Sequence, residues 1–359
     1  MRVEAARPGE LGPQEAARWR RLQDADPQLA SPFFSLAWAR LVDGVRPDAR
    51  VAVIEDGGEI VAFLPVQRLS AFTAMPIGAP LNDAQGLIAA ADLEIDWPAV
   101  LAALRVDRCD FTALRPDQTA TRAHQRSACQ VWHADVTGGM DAYLGRKRDQ
   151  RSGGLKKFSQ YHRRFWREAP APQFDAFVQD ETALAAMIGW KRAQYRRTGQ
   201  TDIIARPWVG ELIRRAAAST DPDLTGASFV LRADGGPACV TLCLRRGMVL
   251  HTWFTAYEPA LEQLRPGIVN WRAMVEAAAG AGVRDVEMGP GDYQYKRTLA
   301  THSSQIADGF VSRPSLAAAV RAAQWRVRGA LEQRAWPRVS ELPGKAMRRW
   351  DMWRALGRG

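Results

Sequence analysis

At two places in the chain, apolar and polar positions alternate on both sides of an aspartate-glycine pair. In the first, RVAVIEDGGEIVAFLPVQR, a β-rich run meets a turn at Asp56-Gly57-Gly58, and a second run ends at Arg68. In the second, FVLRADGGPACVTLCLRRGMVLHTWFTAY, the turn falls at Asp234-Gly235-Gly236 and the return run ends at Arg246. After Gly247 a third run reaches Tyr257. Alternation around aspartate-glycine predicts β-hairpins, because glycine accepts the positive φ that a tight turn requires. The segments after the two hairpins also correspond. The first leads into the loop IGAPLNDAQG, a helix near Asp96 to Leu104 and a strand near Cys109 to Leu114. The second leads into EPALEQLRPG, a helix from about Gly267 to Gly280 and the strand RDVEM. Hairpin, loop, helix and strand written twice predict two α/β modules of one fold.

The modules are expected over residues 1–145 and 146–312, with a helical tail over 313–359. Between the hairpins lie a basic run, RKRDQRSGGLKKFSQYHRRFWRE, and a helix-rich stretch from about Gln173 to Ser219 containing WKRAQYRRTGQ. The tail reads as two helices broken at Pro337 and Pro343. In the second, Met347, Trp350, Trp353 and Leu356 recur at intervals of three, while Lys345, Arg348, Arg349 and Arg354 take other angles. That is the pattern of a basic amphipathic helix with aromatic anchors.

Composition narrows the class. The chain has 359 residues, 47% of them hydrophobic, enough for the cores of two ordinary domains. The N-terminal segment MRVEAARPGELGPQEAARW has acids and prolines where a signal peptide carries an apolar core, and no apolar run approaches the ~18 residues of a membrane span. A cytoplasmic protein is expected. Cys109, Cys129, Cys239 and Cys243 form no C-x-x-C pair, so neither a zinc site nor a disulfide is expected. The net charge of +10 is concentrated in two segments. Residues 145–168 carry nine Lys/Arg against two acids and residues 313–359 eleven against three, so the rest of the chain is net acidic. Partners of these charges are partners of those segments.

Candidate chemistry gathers at the second module. The stretch VEMGPGDYQYKRTLATHSS, Val286 to Ser304, is rich in glycine but has neither G-x-G-x-x-G nor a Walker ending. It reads as the end of a strand and the turn after it. Upstream, QLRPGIVNWRAMVEAA places Arg265, Pro266 and Gly267 at a helix start. There unpaired N–H groups and the positive helix end face an anion, or serve an ordinary helix start. His251 interrupts an apolar strand, MVLHTWFTAY, as a buried core histidine or as a general base of near-neutral pKa.

The order of RVAVIEDGGEIVAFLPVQR, PLNDAQG, KRAQYRRTG and LRPGIVNWRAMVEAAAGAGVRDVEMGPGDYQYKR resembles the cellulose-biosynthesis-type acetyltransferases of the Gcn5-related N-acetyltransferase (GNAT) superfamily. These are related to the peptidoglycan aminoacyltransferases, which carry two such domains in one chain. The resemblance covers about Ser31 to Arg297. Family members commonly have aspartate-phenylalanine-glycine where this chain has Glu287, Met288 and Gly289, and many have arginine at Pro290. It implies two tandem GNAT-like modules, with mixed, mainly antiparallel sheets flanked by helices. It also implies acyl-CoA as co-substrate with no permanently bound cofactor, the pyrophosphate lying on Gln263, Arg265, Gly267 and Ile268. The acyl group is then expected in a splay between two central strands, near His251 to Thr255. Such transfer needs a base, oxyanion donors and a group that reprotonates the thiolate. His251 is the first candidate for the base; Asp292 would accept a proton or orient His251, Tyr295 would protonate the thiolate, and Lys296 would bind phosphate or the oxyanion, unless Asp292 and Lys296 only decorate a solvated turn. Asn82, Asp83 and Gln85 in the first module, and Lys191 and Tyr195 on one helical face, are acceptor-binding candidates or plain turn and surface residues.

The basic, tryptophan-bearing tail fits an anionic membrane surface and hence an amphiphilic acceptor. Some bacterial ceramide synthases resemble this family, which implies a sphingoid amine; the usual family label implies a cell-envelope polysaccharide. Packing of the tail helices on a module is the other reading of their tryptophans. No zinc finger, RRM-like aromatic pattern or helix-turn-helix accompanies the charge, so nucleic acid is not the expected partner.

Overall fold

Both aspartate-glycine pairs make the turns that their sequence predicts. Gly57 and Gly58 have φ of 57° and 86°, and Asp234 and Gly235 have φ of 50° and 73°. Positive φ at both central residues lets a two-residue loop follow the twist of its strands. The structure is a computed structural model that describes residues 1–149, 155–332 and 342–357. Its strands are β1 Arg2–Ala6, β2 Ala49–Asp56, β3 Glu59–Arg68, β4 Thr73–Pro76, β5 Ile88–Ala89, β6 Arg108–Leu114 and β7 Gln125–Asp135, then β8 Gln173–Val178, β9 Thr220–Asp221, β10 Leu224–Ala233, β11 Gly236–Arg246, β12 Val249–Tyr257, β13 Asp285–Pro290 and β14 His302–Ser312. Its helices are α1 Pro13–Asp24, α2 Leu36–Asp43, α3 Trp97–Leu104, α4 Thr119–Arg122, α5 Gly139–Asp149 and α6 Leu155–Glu168, then α7 Glu181–Arg197, α8 Pro207–Ala217, α9 Pro266–Gly280, α10 Gln294–Leu299, α11 Leu316–Glu332 and α12 Leu342–Leu356.

Contacts divide the chain into two units. One comprises Met1–Leu29, Phe33–Cys129 and Gln305–Gly359; the other comprises Ala30–Pro32 and Gln130–Ser304. The strand order in the first is β1-β2-β3-β4-β6-β14, and in the second β7-β13-β12-β11-β10-β8. Each sheet is antiparallel except for one pair, β4 with β6 and β12 with β13. Parallel neighbours need a crossover, which α3 and α9 supply at matching places in the two units. These boundaries differ from those read in the sequence. β7 leaves the first unit at Cys129 and pairs with β13 in the second, while β14 leaves the second at Ser304 and pairs with β6 in the first. Residues 313–359, expected as a separate tail, belong to the first unit. The helix-rich stretch begins with a strand, β8, and the turn expected after Val286–Pro290 holds α10 and the start of β14.

The tail is bound to its unit by buried charge. Asp110 on β6 is fully buried and meets Arg108 at 3.0 Å, Arg321 at 3.0 Å and Arg354 at 3.5 Å; Arg321 also pairs with Asp351 at 2.6 Å. Trp325 and Met347 pack on Phe310. The stripe predicted in the last helix is therefore split. Met347, Asp351, Ala355 and Leu356 face inward, whereas Trp350 and Trp353 stack on each other outside with ring centroids 5.2 Å apart. Pro343 sits in the first turn of α12, where proline costs no hydrogen bond, rather than between helices; Pro337 and Trp336 lie outside the described residues.

Burial pushes the Asp308 carboxyl on β14 up to about 6, with Arg328 4.0 Å away and Ser127 donating at 3.3 Å. A carboxyl raised on folding gives up stability as pH rises from its ordinary range through that value, by about 3 kcal/mol for a shift of roughly two units. Urea unfolding of Asp308→Asn between pH 4 and pH 7 is expected to lack this loss. An equal slope in the variant would assign it to another group.

The basic run between the modules is amphipathic. On α6, Phe158 and Phe165 are buried, and Phe165 belongs to a core cluster with Leu231 and Val269 of the second unit. Arg164 and Arg167 instead pair with Glu168 on the surface. Lys147 on α5 is buried, and its ammonium bonds the Ala300 carbonyl. Part of the charge thus serves packing; Arg151 lies outside the described residues.

Candidate active site

The parallel pair in the second unit stays in register for three residues only: Val249 with Asp285, Leu250 with Val286, and His251 with Glu287. Beyond His251 and Glu287 the strands part. Gly289 and Gly291, at φ 68° and 108°, bend β13 and the turn after it away, conformations that a side chain would strain. A cleft of about 340 Å³ opens where the strands separate, lined by Thr252, Thr255, Met288, Trp190, Trp271 and Leu299 among others. The N-terminus of α9 forms part of its wall through Arg265, Pro266, Gly267 and Ile268. Arg265 is the N-cap residue in the left-handed region, φ 53° and ψ 48°, which turns the chain sharply into the helix. The positive end of the helix dipole makes this rim electropositive, although Ile268 and Val269 already donate to the Arg265 carbonyl at 3.0 and 3.3 Å.

Successive residues of a strand face opposite ways. Thr252 and Met288 look into the cleft, while His251 and Glu287 point to the other face of the sheet at the apex of the split. There His251 Nδ1 lies 3.1 Å from Glu287 Oε2, which also accepts from Ser31 Oγ at 2.9 Å. Burial pushes the Glu287 carboxyl up, but hydrogen bonding and charge from His251, the nearby His133 and the Ser31 hydroxyl outweigh it, leaving Glu287 below its ordinary value. A carboxylate only accepts, so Nδ1 is the donor and Nε2 is the basic nitrogen of a neutral His251. The arrangement can fix a tautomer and stabilise an imidazolium as it forms.

Farther along the same face, His133 Nδ1 meets Asp285 Oδ2 at 2.9 Å and Nε2 meets Ser304 Oγ at 2.8 Å. His133 stacks on His302 with centroids 4.9 Å apart and planes at 14°. No metal site is expected from the sequence, yet His133, Asp285 and His302 bring ligand atoms within 4.8 Å of one another. Their geometry is that of a hydrogen-bonded stack: in-plane lone pairs of two parallel rings do not converge on one ion.

The sequence candidates separate accordingly. Arg265, Gly267, Ile268, Lys191 and Tyr295 line the cleft; Gln263 is exposed on the preceding turn and is not part of the wall. Lys191 lies over the Tyr195 ring at 5.7 Å and donates to the Thr255 carbonyl at 3.4 Å, with burial lowering its pKa and pushing the Tyr195 hydroxyl up to about 12. Asp292 is held on the surface by a two-pronged pair with Arg297 rather than beside His251. Lys296 is turned inward onto the carbonyls of Gly289 at 3.1 Å and Pro290 at 2.7 Å, so its ammonium caps the end of β13 instead of facing a phosphate.

Asn82, Asp83 and Gln85 belong to the first unit, where the equivalent split is closed. β4 and β6 pair only at Thr73 with Arg108 and Ala74 with Cys109, and the backbone of Gln85 then fills the gap, pairing with Leu114. Its side-chain oxygen accepts from the Thr112 and Ala113 amides at 2.9 and 3.1 Å, and its amide nitrogen donates to Asn82 at 3.1 Å. About 20 Å³ remains beside it. Gln85 is therefore a plug, and the open cleft is that of the second unit. Glu287 is legible as the acid of its motif, but its pairing with His251 depends on strand register. Ser31, far away in sequence, carries no signal of its part in the site.

Residues 122–297 match the family of GNAT acetyltransferase domains. Among solved structures, FemX is 9% identical with a TM-score of 0.56, the match covering 86% of this chain and 96% of that one. The C-terminal domain (DUF2156) of an Agrobacterium fabrum protein that carries a provisional lysylphosphatidylglycerol synthetase name is 12% identical with a TM-score of 0.52, again covering 86% and 96%. At such identities the likeness is one of fold. No curated protein matches the chain. Residues 122–297 thus form a GNAT acetyltransferase domain, the signature of an acyltransferase, and the two units share one order of strands.

Proposed function

We propose that the second unit transfers an acyl group from acyl-CoA to the amine of an amphiphilic acceptor of the sphingoid kind. The observation that carries the reading is the strand split ending at His251 and Glu287, with an anion-attracting helix end on one face and a buried histidine–carboxylate pair on the other. The pyrophosphate would lie on Arg265 and the α9 amides, and the thioester would reach the split between Thr252 and Met288. The acceptor would approach from the His251 face. His251 Nε2 would take the amine proton as nitrogen attacks the thioester carbon, and collapse of the tetrahedral species would expel the CoA thiolate. Tyr295, on the cleft wall, is the proposed donor to that thiolate. No covalent enzyme intermediate is needed.

The amphiphilic acceptor draws support from the basic tail, while the apolar share of the cleft, Trp190, Trp271, Met288 and Leu299, would suit the acyl chain of the donor. No described helix is long and apolar enough to cross a membrane, so membrane contact under this reading would be peripheral. Acyl-CoA at a hundred times its Kd is expected to stabilise the folded chain by about 2.7 kcal/mol. Arg265→Glu is expected to weaken acyl-CoA binding ten- to a hundredfold through loss of a charge-assisted contact. Thermal shift with short and long acyl-CoAs measures both. An unchanged melting temperature with every chain length would remove acyl-CoA as the donor.

A further inference from the structure

α11 is amphipathic in the reverse of the usual sense. Its inward stripe is Ala318, Arg321, Trp325 and Arg328, the two arginines being buried against Asp110, Asp351 and Asp308. Its outward stripe is Leu316, Val320 and Val327, with Ala319, Ala323 and Ala330 between them. Leu316 is 82% exposed, and Val320 and Val327 are about half exposed. This stripe is not isolated. Leu316 and Val320 share one groove with Trp350 and with Phe72, which is 60% exposed, and Trp353 stacks on Trp350. Arg326, Arg348 and Arg349, exposed on the same two helices, supply the cations.

A surface helix normally turns aliphatic residues inward and arginines outward. Here buried acids take the arginines and leave the aliphatic residues outside, so the exposed stripe is explained by a partner that is itself apolar. The tryptophan pair and the neighbouring cations identify the chemistry. Tryptophan prefers the boundary between hydrocarbon and headgroup, while arginines next to it take anionic headgroups. We propose that α11, α12 and the Phe72 loop form a docking surface for an anionic phospholipid bilayer, on which the first unit lies with Leu316, Val320, Val327, Trp350 and Trp353 in the interface. The proposal depends on the amphiphilic-acceptor reading only for its purpose, delivery of the acceptor from a membrane; the surface itself stands without it.

The test uses the full chain, because truncation after Arg313 would remove Arg321 and Arg354, two of the three partners of buried Asp110. Sedimentation with vesicles of equimolar phosphatidylcholine and phosphatidylglycerol is expected to pull the protein down, and pure phosphatidylcholine to do so at least tenfold more weakly. Val320→Glu with Val327→Glu, both at exposed positions, is expected to cut binding more than tenfold without moving the melting temperature. Arg348→Gln with Arg349→Gln is expected to lower it about fivefold per charge, and most at low salt. Unchanged binding by the glutamate variant would overturn the proposal. So would a dimer in sedimentation velocity that the same variant dissolves, which would assign the stripe to a second copy. The acyl-CoA thermal shift of the glutamate variant should equal that of the parent. Lost vesicle binding with an intact shift refers to the surface alone, and a lost shift with intact vesicle binding to the cleft alone.

Discussion

Turnover of the His251→Ala protein is expected to fall about a hundredfold while the acyl-CoA thermal shift stays intact. General bases contribute two to four orders of magnitude, and His251 does not line the cleft where the donor is expected to lie. The loss should therefore appear in kcat and not in donor binding. Alanine also leaves Glu287 buried without its ring partner, and an uncompensated carboxylate can unfold the site. His251→Gln is the companion variant: it keeps a donor for Glu287 but cannot accept a proton near neutral pH. Activity retained in both variants, folded by circular dichroism, would remove His251 as base. Glu287→Gln is expected to cost about tenfold or more, since the amide can present its N–H to Nδ1 and favour the wrong tautomer.

Asp110→Asn is expected to destabilise the first unit by about 3–5 kcal/mol, because it leaves the guanidiniums of Arg108, Arg321 and Arg354 around a neutral group inside the protein. The loss should be read in the urea midpoint and in early proteolysis near α11 and α12, whose arginines Arg321 and Arg354 the carboxylate holds. Asp107→Asn is the control. Asp107 pairs with half-exposed Arg313 at 2.7 Å, and surface pairs contribute roughly 0–1 kcal/mol. Equal midpoints for the two variants would mean that apolar packing around Trp325 and Met347, rather than Asp110, secures the tail.

The sequence carries those features that local chemistry sets. Both hairpins, the α3 and α9 crossovers and the strand before the Gly289–Gly291 turn fall where the turn residues and periodicity place them. Alternation is enforced by neighbours two to four positions away. β7 and β14 are not legible in this way, because each strand is defined by partners in another part of the chain: Val286 for Ala134, and Phe111 for Gly309. At the site, Arg265 and Gly267 are legible from the helix start, Ile268 only from the family resemblance, and His251 from its place in an apolar run. Lys296 and Asp292 mislead because a basic or acidic residue in a glycine-rich turn has the same sequence whether it faces a ligand, a carbonyl or Arg297. The tail stripe splits for a related reason: a heptad-like repeat cannot reveal that Asp351 is drawn inward by Arg321.

The exchange of β7 and β14 also sets an order of events during synthesis. All of Gln130–Ser304, which makes up nearly the whole second unit, leaves the ribosome before the first unit is complete, since that unit still lacks Gln305–Gly359. Until β14 arrives, the edge of β6 has no antiparallel neighbour, and Asp110 lacks Arg321 and Arg354. The part of the chain made first is therefore the last to become stable, and the nascent protein carries an open strand edge for most of its elongation.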